Sequence, residues 1–126
     1  MSVKKILVIE DNELNLKLVR TLLELGNFLV LEAANAENGI LIAQKELPDL
    51  ILMDIQLPGL DGLSAAKTIK NDPLTSHIPI IAVTSFAMES DEKKAHAAGC
   101  AGYISKPIDT RTFVSEVSRY LNEALQ

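Results

Sequence analysis

The chain has 126 residues, 48% of them apolar, with a net charge of −5, no tryptophan and one cysteine. That length suits one domain with a full core and is too short for two; the acidic balance argues against nucleic acid or an anionic membrane as a direct partner. No apolar run approaches a membrane span, the first five residues lead straight into an apolar block with no signal peptide, and the lone Cys100, set among Ala and Gly, rules out an internal disulfide and fits a reducing compartment. The expected location is the cytoplasm, with no nucleic-acid partner and no membrane insertion.

Residues 6–9 form an apolar block that predicts a strand leaving on Glu10-Asp11. Asn12 or Asp11 is placed to cap the next helix. There Leu14, Leu18 and Leu22 recur every four residues beside Val19 and Leu25, and Gly26 supplies the stop. Residues 28–31 predict a second strand, and Asn35 a cap for a helix through Glu46. Gly39 costs that helix about 1 kcal/mol relative to Ala, and Pro48 ends it. Residues 50–53 are a short apolar run bounded by Pro48-Asp49 and by Leu57-Pro58-Gly59, the pattern of a strand buried on both faces. Asp54 is the first residue to emerge from it.

Residues 63–70 predict a short helix and residues 71–73 a turn. Residues 80–83 predict another buried strand, leaving on Thr84-Ser85. Ser90-Asp91-Glu92 places acceptors and negative charge at the start of a helix that ends at Gly99. That helix is built on Ala95, Ala97 and Ala98. Residues 102–105 predict a last strand leaving on Lys106-Pro107. Asp109 or Thr110 then caps a helix carrying Phe113, Val117 and Leu121 at four-residue spacing. Strand and helix alternate five times, which predicts an α/β fold: a doubly wound, five-stranded parallel sheet with helices on both faces. If the strand order is 2-1-3-4-5, the switch point lies between the first and third strands, and ligands bind outside their carboxyl ends.

The strand exits read Glu10-Asp11, Asp54, Thr84-Ser85 and Lys106, a set that core packing does not require. Three carboxylates at one edge would raise each other's pKa values unless a cation joined them. A hard divalent ion suits oxygen ligands, and Mg²⁺ takes one or two carboxylates while keeping waters that a phosphate replaces. Lys106 adds a fixed positive charge and Thr84 a hydroxyl. This is equipment for phosphoryl transfer, in which positioning and charge neutralisation supply most of the catalysis, and an Asp carboxylate can hold the group as an acyl phosphate.

The stretches VIEDNELN, DLILMDIQLPGLDG, IIAVTS and YISKP resemble, in this order and at strand ends, the receiver domain of two-component response regulators. The resemblance covers essentially the whole chain, 1–126, and leaves no room for an output domain. It implies the strand order 2-1-3-4-5 and Asp54 as phosphoacceptor. It implies Mg²⁺ held by Asp11, Asp54 and the backbone carbonyl of Gln56, with Glu10 acting through water. Thr84 and Lys106 would contact the phosphoryl oxygens, Lys106-Pro107 would be a cis peptide, and Thr84 and Tyr103 would form the switch. Gln56 and Phe86 would tune attack by water. The implied partners are a sensor histidine kinase or histidine phosphotransfer protein and a downstream protein target. Within the family, EDNELN, DIQLP, VTSFAM and YISKPI are similar to stand-alone DivK-type single-domain regulators of cell division and polarity. Glu10, Leu57 and Ser85 stand where the family more often has Asp, Met and Ala. Two rivals use the same architecture: a flavodoxin-like cofactor binder, and a Mg²⁺-dependent phosphatase of small substrates.

Overall fold

Alternate residues of each strand serve different layers, because successive side chains leave a strand on opposite faces. In the first strand, Ile6 and Val8 join one buried cluster while Leu7 and Ile9 join the other. The computed structural model describes residues 3–57, 61–85 and 89–124, with the backbone alone for 89–91 and 124. Its elements are β1 (Lys5–Ile9), α1 (Glu13–Leu25), β2 (Leu29–Ala33), α2 (Ala36–Glu46), β3 (Leu50–Asp54), α3 (Gly62–Asn71), β4 (Ile80–Thr84), α4 (Glu89–Ala97), β5 (Gly102–Ser105) and α5 (Phe113–Ala124). The strands form one parallel sheet of order β2-β1-β3-β4-β5. Val19 and Leu23 of α1 and Phe113, Val117 and Leu121 of α5 pack on one face. The other face is covered by Ala36 and Ala43 of α2, by Ala65, Ala66 and Ile69 of α3, and by Ala95 of α4 with Ala98 just beyond it. All five residues of β3 and of β4 are buried, as continuous apolar runs in a covered parallel sheet should be.

Local chemistry sets the helix ends. Asn12 accepts from the Asn15 N–H, Asn35 from Asn38 and Asp61 from Ser64, each side chain satisfying an otherwise unpaired first-turn donor. Among the described residues, every buried side-chain nitrogen or oxygen has a hydrogen-bond partner.

Several details differ from the expectations above. The second strand starts one residue later and ends two later, as Leu29–Ala33, because Phe28 belongs to the turn out of α1, its N–H donating to the Leu23 carbonyl. In α1 the inward positions are Val19 and Leu23, whereas Leu14 is 80% exposed and Leu25 75%. Gly26 caps α1 as read from the sequence, at φ −84°, and the left-handed residue is the next one, Asn27 (φ 68°). The helix before Pro48 closes on Leu47 in the left-handed region (φ 47°), consistent with the bar on ordinary helical geometry before proline. Gly39 is buried at the point where α2 meets β1, and a Cβ there would collide with the Ile9 side chain, so close packing explains the residue. Asp54 is the last residue of β3 rather than the first beyond it, and is itself buried. The final helix starts at Phe113: Asp109 caps the preceding turn instead, its carboxylate accepting from the Arg111 N–H. Pro58-Gly59, Phe86 and the side chains of Ser90 and Asp91 lie outside the described residues.

Candidate functional site

The switch point of this sheet falls between β1 and β3, and their carboxyl ends carry Glu10-Asp11 and Asp54. Backbone bonds hold the exits together: Lys106 N–H donates to the Thr84 carbonyl at 2.8 Å, and Ile55 N–H to the Val83 carbonyl at 3.3 Å. Glu10, Asp54 and Thr84 are buried, and Asp11 is exposed at the mouth. Glu10, Asp11 and Asp54 each offer a carboxylate oxygen, and these three atoms lie within 4.8 Å of one another. Lys106 reaches across from β5 into this cluster: its Nζ lies 3.1 Å from Glu10 Oε1 and 3.1 Å from Asp54 Oδ2. The other Asp54 oxygen, Oδ1, accepts from the Gln56 backbone N–H at 2.9 Å.

The charges in this cleft are strongly linked. Burial, then a hydrogen bond and repulsion from Asp54, push Glu10 up to about 7, against the pull of Lys106 and Asn15 in the other direction. Burial also acts to raise Asp54, but hydrogen bonds from Glu10, the Gln56 N–H and Lys106 outweigh it and hold Asp54 below the usual carboxylate range. Burial works against the Lys106 charge, yet its bonds to Asp54 and Glu10 raise its pKa above the ordinary lysine value.

A divalent cation fits this donor set. Two buried carboxylates and one exposed carboxylate converge, and the positive charge among them is a single ammonium on a flexible stem. The donors are all oxygens, which selects a hard ion over a thiophilic one. A flavin phosphate would meet carboxylates in the loop after β1 where it needs a neutral or basic cradle.

The site residues read from the sequence thus come together at one sheet edge: Glu10, Asp11, Asp54, Gln56, Thr84 and Lys106. The Lys106–Pro107 peptide is cis. Tyr103, on β5, is half-buried, and its backbone N–H and carbonyl both pair with the Tyr120 hydroxyl at 3.4 Å. One contact was not legible: Ser85 Oγ donates to Gln56 Oε1 at 3.2 Å. Cys100 is buried, and burial pushes its thiol up to about 11, the state of an inert structural cysteine. Among the described residues no helix is long and apolar enough to cross a membrane.

The response regulator receiver domain family matches residues 6–118. The chain is 45% identical over 121 residues to the polar-differentiation response regulator DivK of Brucella anthropi, covering 96% of this chain and 98% of that protein. Among solved structures it is similar to the receiver domain of a sensor histidine kinase from Pseudomonas aeruginosa PAO1, which has a magnesium ion coordinated in its active-site cleft. That likeness has 31% identity, 97% of each chain covered and a TM-score of 0.84. A CheY-like receiver domain protein from Methanospirillum hungatei JF-1 superposes with a TM-score of 0.89 at 28% identity, over 98% of this chain and 97% of that one. Neither the flavin-binding reading nor the small-substrate phosphatase reading gains support from these relatives. Sequence, topology and site chemistry agree, and the chain belongs to the response regulator receiver domain family.

Proposed function

We propose that this chain works as a single receiver domain that takes a phosphoryl group onto Asp54 and signals by changing its protein contacts. The observation that carries the reading is the buried Asp54 carboxylate, held by Lys106 and the Gln56 N–H among Glu10 and Asp11 at the switch point. A carboxylate oxygen of Asp54 attacks phosphorus while the bond to the donor nitrogen or oxygen breaks, its electron pair leaving with the donor. Lys106 donates to the phosphoryl oxygens as negative charge gathers there, and the Thr84 hydroxyl does the same from the end of β4. Asp11, Asp54 and the Gln56 carbonyl would hold Mg²⁺ directly and Glu10 through water, and the ion would supply further neutralisation of the phosphoryl charge. The test is incubation with acetyl phosphate and Mg²⁺ followed by intact-mass analysis and peptide mapping. A single phosphoryl adduct on Asp54, prevented by EDTA, is expected; an adduct on another residue, or full labelling in excess EDTA, would overturn the reading.

The chain spans nearly the whole length of its DivK relative, which supports a DivK-like role in cell-cycle or polarity control. The phosphodonor in this reading is a histidine kinase or histidine phosphotransfer protein docking over the rim of the site. Asn15 and Ile108 line the pocket that holds Glu10, Asp54 and Lys106. Leu14 and Leu18 stand exposed on the same helix as Asn15. Leu14→Asp and Leu18→Asp should slow transfer from the histidine donor by about 10- to 30-fold, the scale of losing an apolar anchor. Acetyl phosphate, which needs no docking surface, should label both variants at the wild-type rate. Equal slowing with both donors would refute the docking role.

The output side of the proposal is a switch through Thr84 and Tyr103. Among its described side chains α4 buries Ala95, and elements with little buried apolar surface shift at low cost. A cleft beside Tyr103, lined by Ala95, His96 and Tyr120, gives α4 and β5 room to rearrange. Thr84→Ala should still be phosphorylated on Asp54 yet lose most of the gain in target affinity that phosphorylation brings, and Tyr103→Ala should weaken that gain. Target binding with and without beryllofluoride measures it; wild-type affinity ratios in both variants would rule the mechanism out.

A further inference from the structure

We propose that Ser85 is a positioning residue: its hydroxyl holds the Gln56 side-chain amide so that it does not assist water, and so prolongs the life of the phosphoryl group on Asp54. The inference rests on the phosphoacceptor reading above and assigns the residue that governs loss of the group rather than its gain.

Ser85 is the first residue beyond β4, and Gln56 the second beyond β3. The strand register sets Asp54 beside Val83, so the two exits leave the sheet side by side. Gln56 is held at both ends. Its backbone N–H donates to Asp54 Oδ1 at 2.9 Å, and its side-chain Oε1 accepts from Ser85 Oγ at 3.2 Å. Asp54 is buried, whereas Gln56 and Ser85 are exposed, so the pair lies at the surface where these two exits leave the sheet.

Hydrolysis of an aspartyl phosphate needs water from that side. The water oxygen attacks phosphorus, the phosphorus–oxygen bond to Asp54 breaks with its electron pair returning to the carboxylate, and the water's protons pass to the released phosphate and solvent. A neighbouring acceptor speeds this step by orienting water and drawing on its proton. The glutamine side chain has one acceptor, its carbonyl oxygen, and one donor group, its NH₂. Ser85 engages the acceptor end. The bond occupies one lone pair of that oxygen and fixes the orientation of the amide, and the NH₂ that remains can donate but cannot take a proton from water. Thr84, one residue earlier, is buried with Asp54, so Ser85 is the exposed hydroxyl of this exit.

The protein is loaded with acetyl phosphate and Mg²⁺, the donor is removed, and loss of the adduct is followed by intact mass. Ser85→Ala should lose its phosphoryl group about 3- to 10-fold faster than wild type, the factor that one neutral hydrogen bond is worth. Ser85→Thr, which keeps the hydroxyl, should restore the wild-type rate. In a Gln56→Ala background, Ser85→Ala should have no further effect, because no amide remains to be released. An unchanged rate in Ser85→Ala overturns the inference, and so does acceleration that persists without Gln56, since a hole opened by the serine's removal would act independently of the amide. Absence of any adduct on wild-type protein would instead overturn the phosphoacceptor reading, and this one with it.

Discussion

Lys106→Met is expected to slow phosphoryl transfer from acetyl phosphate by about 10²–10³-fold, the loss typical of one donor to developing charge, and at the same time to tighten Mg²⁺ binding. The two effects have opposite signs because the ammonium plays two parts. Its Nζ sits 3.1 Å from both Glu10 and Asp54, so it neutralises the carboxylates that a cation would use. Methionine keeps an unbranched stem of similar length and removes the charge. What remains is a cluster of carboxylates whose mutual repulsion is relieved by binding a cation, which raises affinity for Mg²⁺. The donor to the phosphoryl oxygens is lost, so chemistry slows even when the ion is saturating. Asp54→Ala provides the reference, since it removes the acceptor oxygen and should reduce uptake to background. Mg²⁺ titration by calorimetry and labelling rates by intact mass test the pair of effects. A Lys106→Met protein that binds Mg²⁺ more weakly than wild type, or that labels at the wild-type rate, would contradict this account of the lysine.

The site was legible because the fold puts its chemistry at strand ends, and strand ends are the easiest boundaries to read. A buried parallel strand is a continuous apolar run, so the first polar residue after residues 6–9, 50–53 or 80–83 marks an exit almost without reference to the rest of the chain. The face of α1 was harder. Leucine stands at positions 14, 16, 18, 22, 23 and 25, so two stripes satisfy helical spacing, and the four-residue series from Leu14 begins on the exposed Leu14 and Leu18 and meets the core only at Leu22. Only packing against β1 and α5 decides for Val19 and Leu23. The second strand lies at the sheet edge, where partial burial blurs the pattern, and its start was misplaced by the aromatic Phe28. The Ser85–Gln56 bond depends on the register between β3 and β4, a quantity that single-chain periodicity does not contain. Glycines are the other gap. Gly39 read as a cost to its helix, and Gly62 drew no attention, yet both are places where two elements approach too closely for a side chain.

Gly62 carries the second large prediction. It is the first residue of α3, directly after the Asp61 cap, and it is buried. A Cβ there would lie 2.5 Å from the Asp54 carbonyl oxygen and 2.5 Å from the Ile55 Cα. Both are backbone atoms at the exit of β3, and neither can turn aside as the end of a side chain could. Alanine at this position gains at most about 1 kcal/mol of helix propensity, while relieving the overlap must move α3 or the strand end. We expect Gly62→Ala to lower stability by about 2–3 kcal/mol, as overpacking of a tight contact does. The displaced segment carries the proposed phosphoacceptor: Asp54 and Gln56 are joined by the 2.9 Å bond that orients the carboxylate, and Ile55 lies between them. Labelling by acetyl phosphate should therefore fall by tenfold or more in protein that is still folded, since an ångström of misplacement is costly in a preorganised site. Gly39→Ala is the control. Its added Cβ meets the Ile9 side chain instead of backbone, on the strand whose exit carries Glu10, and it should cost stability with a smaller effect on labelling. Urea midpoints and labelling rates of the two variants separate the cases. If Gly62→Ala matches wild type in both, the contact between the start of α3 and the end of β3 does not set the position of Asp54.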